Sequence, residues 1–309
     1  MYHVFTSIPL LLVLNFCSVS PASHTGGPAG SEQREPVEAT QNETIRKKVY
    51  YNNEKTDVAK IEAVLKKVKA IPDINDRVVA VTQEFTGTPY VGGTLNIPHE
   101  EQLYVNTSGV DCSTFVETVI SLAKTAGSDN SGINSYLENL QSLRYRKGKI
   151  DGFPSRLHYI SEWVIDNSSR GNLKEISGDY LFSETRVKTL DFMTKNRNLY
   201  PAMADDEVYE AVKENERALK NLNYSIIPTS RVNDAGKSFL RSGDIVAIET
   251  IKPGLDVSHV GVIRIIKGVP YLIHASSKFK KVINDTLPLQ DYLKKQRSPG
   301  IRVFRLPQG

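Results

Sequence analysis

The chain is short of the residues that several chemistries need. In 309 residues it has two cysteines, six histidines, three methionines and one tryptophan. No Cys/His spacing reads as a zinc site, and no G-x-G-x-x-G or phosphate loop follows a strand, so neither a metal nor a nucleotide cofactor is expected. Charge is nearly balanced: a formal net of +4 argues only weakly for nucleic acid, which is not expected as a partner, and is compatible with an anionic polymer. The mature chain has no apolar run of membrane-spanning length. Ile8 to Phe16 is too short to cross a bilayer and suits the h-region of a secretory signal.

Ser20-Pro21-Ala22 puts small residues at the cleavage positions, so cutting is expected after Ala22. The n-region departs from the usual pattern in having no Lys or Arg. Cys17 raises lipoprotein processing and a lipid anchor as an alternative, although Phe16 before it is bulky for a lipobox. Either route predicts export to the periplasm or cell envelope. Residues 23–45 are rich in Gly, Ser, Pro, Glu and Thr and read as a solvated linker. The remainder, 46–309, reads as one domain with insertions around 130–235.

Helical periodicity marks Lys60 to Ala70, Ile74 to Phe85, Cys112 to Ala126, Ile133 to Leu143, residues 156–167 and Asp205 to Asn221. Arg144 to Lys149 reads as a solvated basic loop. Short β-branched runs follow at Asp244 to Glu249, His259 to Ile263, Tyr271 to His274 and Arg302 to Leu306. Helices first and antiparallel strands later predict an α+β fold with a helix packed on a sheet.

Once the signal is removed, Cys112 is the one cysteine left. An isolated cysteine is most often an inert small hydrophobe. Here, however, it opens a helix, with Asp111 as N-cap, where unpaired N–H groups and the helix dipole favour a thiolate and can bind an oxyanion. A base must lie within reach, and His is the usual one. His3 leaves with the signal, His24 falls in the linker and His99 in a polar loop, leaving His158, His259 and His274. His259 heads a strand and His274 closes the neighbouring one. Adjacent strands would let one imidazole orient the other.

Gly87-Thr88-Pro89-Tyr90-Val91-Gly92-Gly93 and Gly109-Val110-Asp111-Cys112-Ser113-Thr114-Phe115-Val116 resemble the nucleophile region of the NlpC-type cell-wall cysteine hydrolases. Gly243-Asp244-Ile245-Val246, Ser258-His259-Val260-Gly261-Val262 and Tyr271 to Ser277 are similar to that family's later strands. The resemblance implies a papain-like fold, with Cys112 as nucleophile, His259 as base, His274 as its orienter and Tyr90 beside the nucleophile. It also implies substrate contacts for Asp111, Ser113 and Ser258. Arg156-Leu157-His158-Tyr159-Ile160-Ser161-Glu162-Trp163 resembles a branch characterised as N-acetylmuramoyl-L-alanine amidases. This implies peptidoglycan or muropeptide fragments as substrate, bound by Arg156, His158, Tyr159 and Trp163. An amphipathic helix with merely solvated polar residues would give the same pattern. Three alternatives stay open: cleavage within the stem peptide, between D-glutamate and the diamino acid; acyl transfer; and a non-catalytic wall-binding module.

Overall fold

The computed structural model describes residues 49–96 and 100–308; the expected signal and linker, with His3, Cys17 and His24, and also His99, lie outside them. The helices are α1 (Glu54–Val68), α2 (Ile74–Phe85), α3 (Cys112–Ala126), α4 (Ile133–Arg144), α5 (Ile160–Ser169), α6 (Phe192–Lys195), α7 (Asp206–Arg217), α8 (Val232–Ser238) and α9 (Leu289–Gln296). The strands are β1 (Val49–Tyr51), β2 (Leu103–Val105), β3 (Lys174–Glu175), β4 (Glu184–Lys188), β5 (Leu222–Pro228), β6 (Ile245–Glu249), β7 (Val257–Ile266), β8 (Val269–Ser276), β9 (Lys281–Pro288) and β10 (Gly300–Arg305). The main sheet runs β4-β5-β10-β6-β7-β8-β9, its neighbours antiparallel, with β3 added beside β10. This is the expected α+β class.

Both sheet faces are covered, which explains why β6 reads as an unbroken apolar run and not an alternating one. Ile245 and Ala247 face one core with Val260, Val262 and the helices α1 to α4. Val246 and Ile248 face a second core with Ile263, Leu272, Val303 and residues of α8 and α9. The insertion adds a third cluster around Leu190, Met193, Met203 and Val212. α3 sits deepest, with every residue from Thr114 to Ala123 buried.

α2 and α3 have the bounds that periodicity predicts. Asp111 and Thr114 exchange hydrogen bonds in a capping box and Gly127 closes α3, so both its ends are written locally. α1 begins earlier than its apolar pattern because Asn53 caps it, accepting from the Thr56 N–H at 3.0 Å. α5 begins at Ile160, not at 156. β4, β5, β9 and α9 are not anticipated by the sequence patterns. Arg144 corrects the reading of a solvated basic loop: it is 2 % exposed, and its Nε donates to Glu117 Oε2 at 2.7 Å. Among the described residues no helix is long and apolar enough to cross a membrane.

Glu117 and Arg144 form a buried pair, and removing one partner leaves an uncompensated charge. Glu117→Ala is expected to cost about 3–5 kcal/mol, read as a lower midpoint in urea unfolding.

Candidate active site

The backbone around Cys112 is held from two sides. The loop before α3 bridges to Tyr90, with Val110 N–H donating to the Pro89 carbonyl at 3.1 Å and Val91 N–H to that of Val110 at 3.0 Å. The same loop is tied to β9: Tyr90 N–H donates to the Lys280 carbonyl at 2.9 Å, and Gly87 and Thr88 exchange hydrogen bonds with Val282. Tyr90 is thereby fixed between the start of α3 and the edge of the sheet. Its ring lies over Gly92, where an added Cβ would stand 3.5 Å from the ring.

On the other side stands β7. Partner pairs between β7 and β8 run from Ile266/Val269 to Val262/Ile273, although both strands continue beyond. At that point Gly261 approaches β8 closely: a Cβ there would meet the Ile273 carbonyl oxygen at 2.8 Å and His274 Cβ at 3.2 Å. Beyond the last pair, the Val260 backbone N–H serves the Cys112 thiol as a hydrogen-bond donor. Cys112, Ser113, His158, Trp163, Ser258 and His259 line one cavity of about 160 Å³, walled by Leu157, Leu255 and Phe304.

His259 Nε2 lies 2.6 Å from His274 Nδ1, with the rings edge to face. His274 is 2 % exposed, and its other nitrogen, Nε2, stands 3.5 Å from Asp285 Oδ2, an ion-pair distance that is long for a hydrogen bond. The edge of the Tyr292 ring closes the far side of His274. Asp285 lies within a register shift in β9, where Tyr271 pairs with Pro288 but Ile273 with Asn284; such bulges re-aim side chains. Asp285 Oδ1 accepts from the Leu287 N–H at 2.9 Å, which leaves Oδ2 towards His274. A line of groups results: a cavity shared by thiol and imidazole, then imidazole, then carboxylate.

The thiol does not behave as the helix dipole alone would have it. Burial, and then the Asp111 carboxylate, push Cys112 up to about 11, against hydrogen bonds from Val260 and Ser113 that lower it. Burial and then His274 hold His259 well below the usual imidazole range. Burial also lowers His274, while Asp285 raises it. Both shifts favour the uncharged forms of the two groups that share the cavity.

The remaining anticipated residues divide. Asp111 is the α3 cap, with Oδ1 accepting from the Thr114 N–H at 2.8 Å. Ser258 donates to the Ile248 carbonyl at 3.3 Å, and His158 Nε2 lies 3.0 Å from the Phe153 carbonyl. Trp163 is 4 % exposed at the cavity wall, and its indole N–H has no hydrogen-bond partner among the described residues. Arg156 and Tyr159 are not brought to the cavity. Arg156 donates to the Leu95 carbonyl at 2.6 Å, lies over the Phe153 ring and faces Glu101. Tyr159 donates to Glu216 at 2.6 Å in the third core cluster.

Sequence reasoning missed Asp285, Tyr292 and Asp256. Asp256 Oδ2 accepts from the Ser161 N–H at 2.6 Å. It thus caps α5, whose own N-cap, Tyr159, makes no side-chain cap, and pins Trp163's helix to the start of β7. The side chain of Asp256 is in the sequence, but no local signal pairs it with a helix 95 residues away.

Fold and site together define an α+β protein with a thiol at a capped helix start beside an imidazole pair. A family model, AmiA-like: N-acetylmuramoyl-L-alanine amidase-like, matches residues 80–301, and the chain belongs to that family. Crystal structures of an N-acetylmuramoyl-L-alanine amidase from Bacteroides uniformis are similar, with TM-scores of 0.72 and 0.71 at 33 % identity. They cover 75 and 76 % of this chain and 98 and 99 % of theirs. A Legionella pneumophila protein of 24 % identity shares the fold at a TM-score of 0.62, over 82 % of this chain and 96 % of its own. No curated protein matches the chain.

A thiol raised by burial stays protonated at neutral pH. Its alkylation by iodoacetamide, followed on the Cys112 peptide by mass spectrometry, is expected to climb about tenfold per pH unit from pH 7 to 9. A plateau reached below pH 7 would show a resting thiolate instead.

Proposed function

We propose that this protein is a peptidoglycan hydrolase that cleaves the amide between N-acetylmuramic acid and L-alanine through a Cys112 thioester, on a papain-like NlpC-type scaffold and without a cofactor. The observation that carries the chemistry is the placement of Cys112, at the first residue of a capped helix, in one cavity with His259, itself hydrogen-bonded to His274 at 2.6 Å. Membership of the amidase-like family, and the named activity of the B. uniformis relative, support the choice of bond. The same reading makes 46–309 the catalytic domain, 1–22 an export signal, and the cell envelope the site of action.

The order of groups sets the protons. A nearby carboxylate at Asp285 favours the tautomer of His274 with hydrogen on Nε2, leaving Nδ1 as acceptor. His259 then donates from Nε2 and keeps Nδ1 free to act as base. As Cys112 attacks the lactyl carbonyl, His259 takes the thiol proton, so a raised thiol pKa does not stop the reaction. In this reading backbone N–H groups at the start of α3 bind the oxyanion, and Tyr90, whose phenol interacts electrostatically with Cys112, assists them. His259 then passes its proton to the alanine nitrogen, which leaves. Water, deprotonated by His259, splits the thioester into free muramic lactate and the thiol. His274 and Asp285 are positioning residues in this scheme. The buried, unpartnered indole N–H of Trp163 supplies a donor for a carbonyl of the sugar's acyl groups.

Digestion of defined muropeptides tests the bond. N-acetylmuramoyl-L-alanine should yield free alanine and the lactate, and Cys112→Ala should lose at least about a thousandfold in kcat. Release of a diamino acid-terminated peptide with the muramoyl amide intact would replace this reading with stem-peptide cleavage. Asp285→Asn is expected to lower kcat about tenfold with KM not raised and melting temperature unchanged, since the imidazole tautomers change. An unaltered kcat would remove Asp285 from the scheme.

A further inference from the structure

His259 stands between two cavities of different character. The first, about 160 Å³, contains Cys112 and is walled largely by apolar and aromatic side chains. The second, about 490 Å³, lacks Cys112 and lies along the imidazole pair, between the β8–β9 turn and α9. Ser258 and His259 line both. Ser276, Ser277, Thr286, Lys278 and Lys295 are among the residues that line the second cavity, with the Lys278 ammonium 5.5 Å from the centroid of the Phe279 ring.

We propose that the second cavity is the subsite for the leaving half of the substrate and that it takes an anionic peptide. The inference rests on the proposed cleavage of the muramoyl–alanine amide and adds its direction and its charge preference. The direction follows from the proton transfers. The acyl half becomes bonded to Cys112 and stays in the cavity that holds the thiol. The departing nitrogen must receive its proton from His259, so the peptide behind it extends along the imidazole side, where the 490 Å³ cavity opens. That volume lies within the range of ligand pockets.

The charge preference follows from the walls. Lys278 and Lys295 are exposed, and neither forms an ion pair among the described residues. The carboxylate that lines the same cavity, Asp285, directs Oδ2 to His274 and holds the Leu287 N–H with Oδ1. Two cations therefore face a cavity whose carboxylate is already engaged. Beyond L-alanine the stem continues with D-glutamate, whose carboxylate would enter between them. The turn that carries Lys278 is not free to move away, because Lys280 and Val282 are bound to the Tyr90 loop.

Three substrates test this: N-acetylmuramoyl-L-alaninamide, N-acetylmuramoyl-L-alanyl-D-glutamate, and the latter with its carboxylates amidated. The wild-type enzyme should cleave all three, with the lowest KM for the acidic one. Lys278→Ala/Lys295→Ala should raise that KM about 3- to 10-fold, as two exposed ion pairs allow, with kcat and the other two substrates unchanged. The effect should shrink at 0.5 M salt, and Lys278→Arg/Lys295→Arg should restore it. An equal KM for all three substrates in the wild type, or an equal loss on all three in the variant, overturns the subsite while leaving the bond assignment standing. Failure of the wild type to cleave any of them overturns the bond assignment, and the subsite with it.

Discussion

Where the β7–β8 ladder stops, a single side-chain hydrogen bond takes over. His259 and His274 meet at 2.6 Å beyond the last backbone pair, Val262 with Ile273. Everything about the site depends on that exchange. If the ladder continued, the Val260 N–H would be spent on β8 and not on the thiol. If Gly261 carried a side chain, it would strike the Ile273 carbonyl and push His274 away. The sheet gives up backbone pairing at one point, and a buried polar line is built in the space. Such a line is costly unless its members are satisfied. His274 is hydrogen-bonded on one side to His259, and on the other it faces, at ion-pair distance, a carboxylate in the stretch of β9 where the register shifts.

The electrostatics of Cys112 show which of two opposing effects is larger. A helix start stabilises a thiolate by a modest amount that is felt within the first turn. Burial acts on the same atom without a competing cation, and the capping carboxylate of Asp111 adds a like charge beside it. Desolvation is the larger effect here. The cap that fixes the geometry of the helix therefore also disfavours ionisation of its first residue. In the proposed reaction this arrangement suits proton transfer during attack better than a preformed ion pair, and the scheme turns on the tautomer of His259.

The parts legible in the sequence are those whose cause is local. α3 is legible to the residue because Asp111, Thr114 and Gly127 are its own signals, and β6, β7 and β8 because their β-branched runs are. Asp285 was not, since its role exists only once β9 is paired with β8 and the register slips by two residues. The cluster from Arg156 to Trp163 misled for a related reason. Residues 156–159 precede the helix and are not part of it, so neighbours in sequence point apart: Arg156 towards Leu95 and Glu101, Tyr159 towards Glu216. Of the polar and aromatic members, Trp163 inside α5 and His158 reach the cavity, beside the apolar Leu157 and Ile160.

The insertion is tied to the site through Asp256 among others, which makes it more than an ornament on the sheet. Asp256 sits three positions before His259 and is 1 % exposed. One of its oxygens caps α5 through Ser161, and the other accepts from the Val257 N–H at 2.8 Å at the head of β7. Arg302 on β10 donates to the hydroxyl of the same Ser161 at 2.5 Å and to both oxygens of Glu175 on β3. The helix that carries Trp163 is thus fixed to the head of β7 and to β10 by Asp256 and Arg302, both almost wholly out of water, and through Arg302 to the half-buried Glu175 of β3. Buried charges of this kind add little net stability over apolar packing, but they admit only one geometry. The wall of the cavity and the strand of His259 are therefore set together. The distance between indole and thiol is consequently a property of the core, not of a loop.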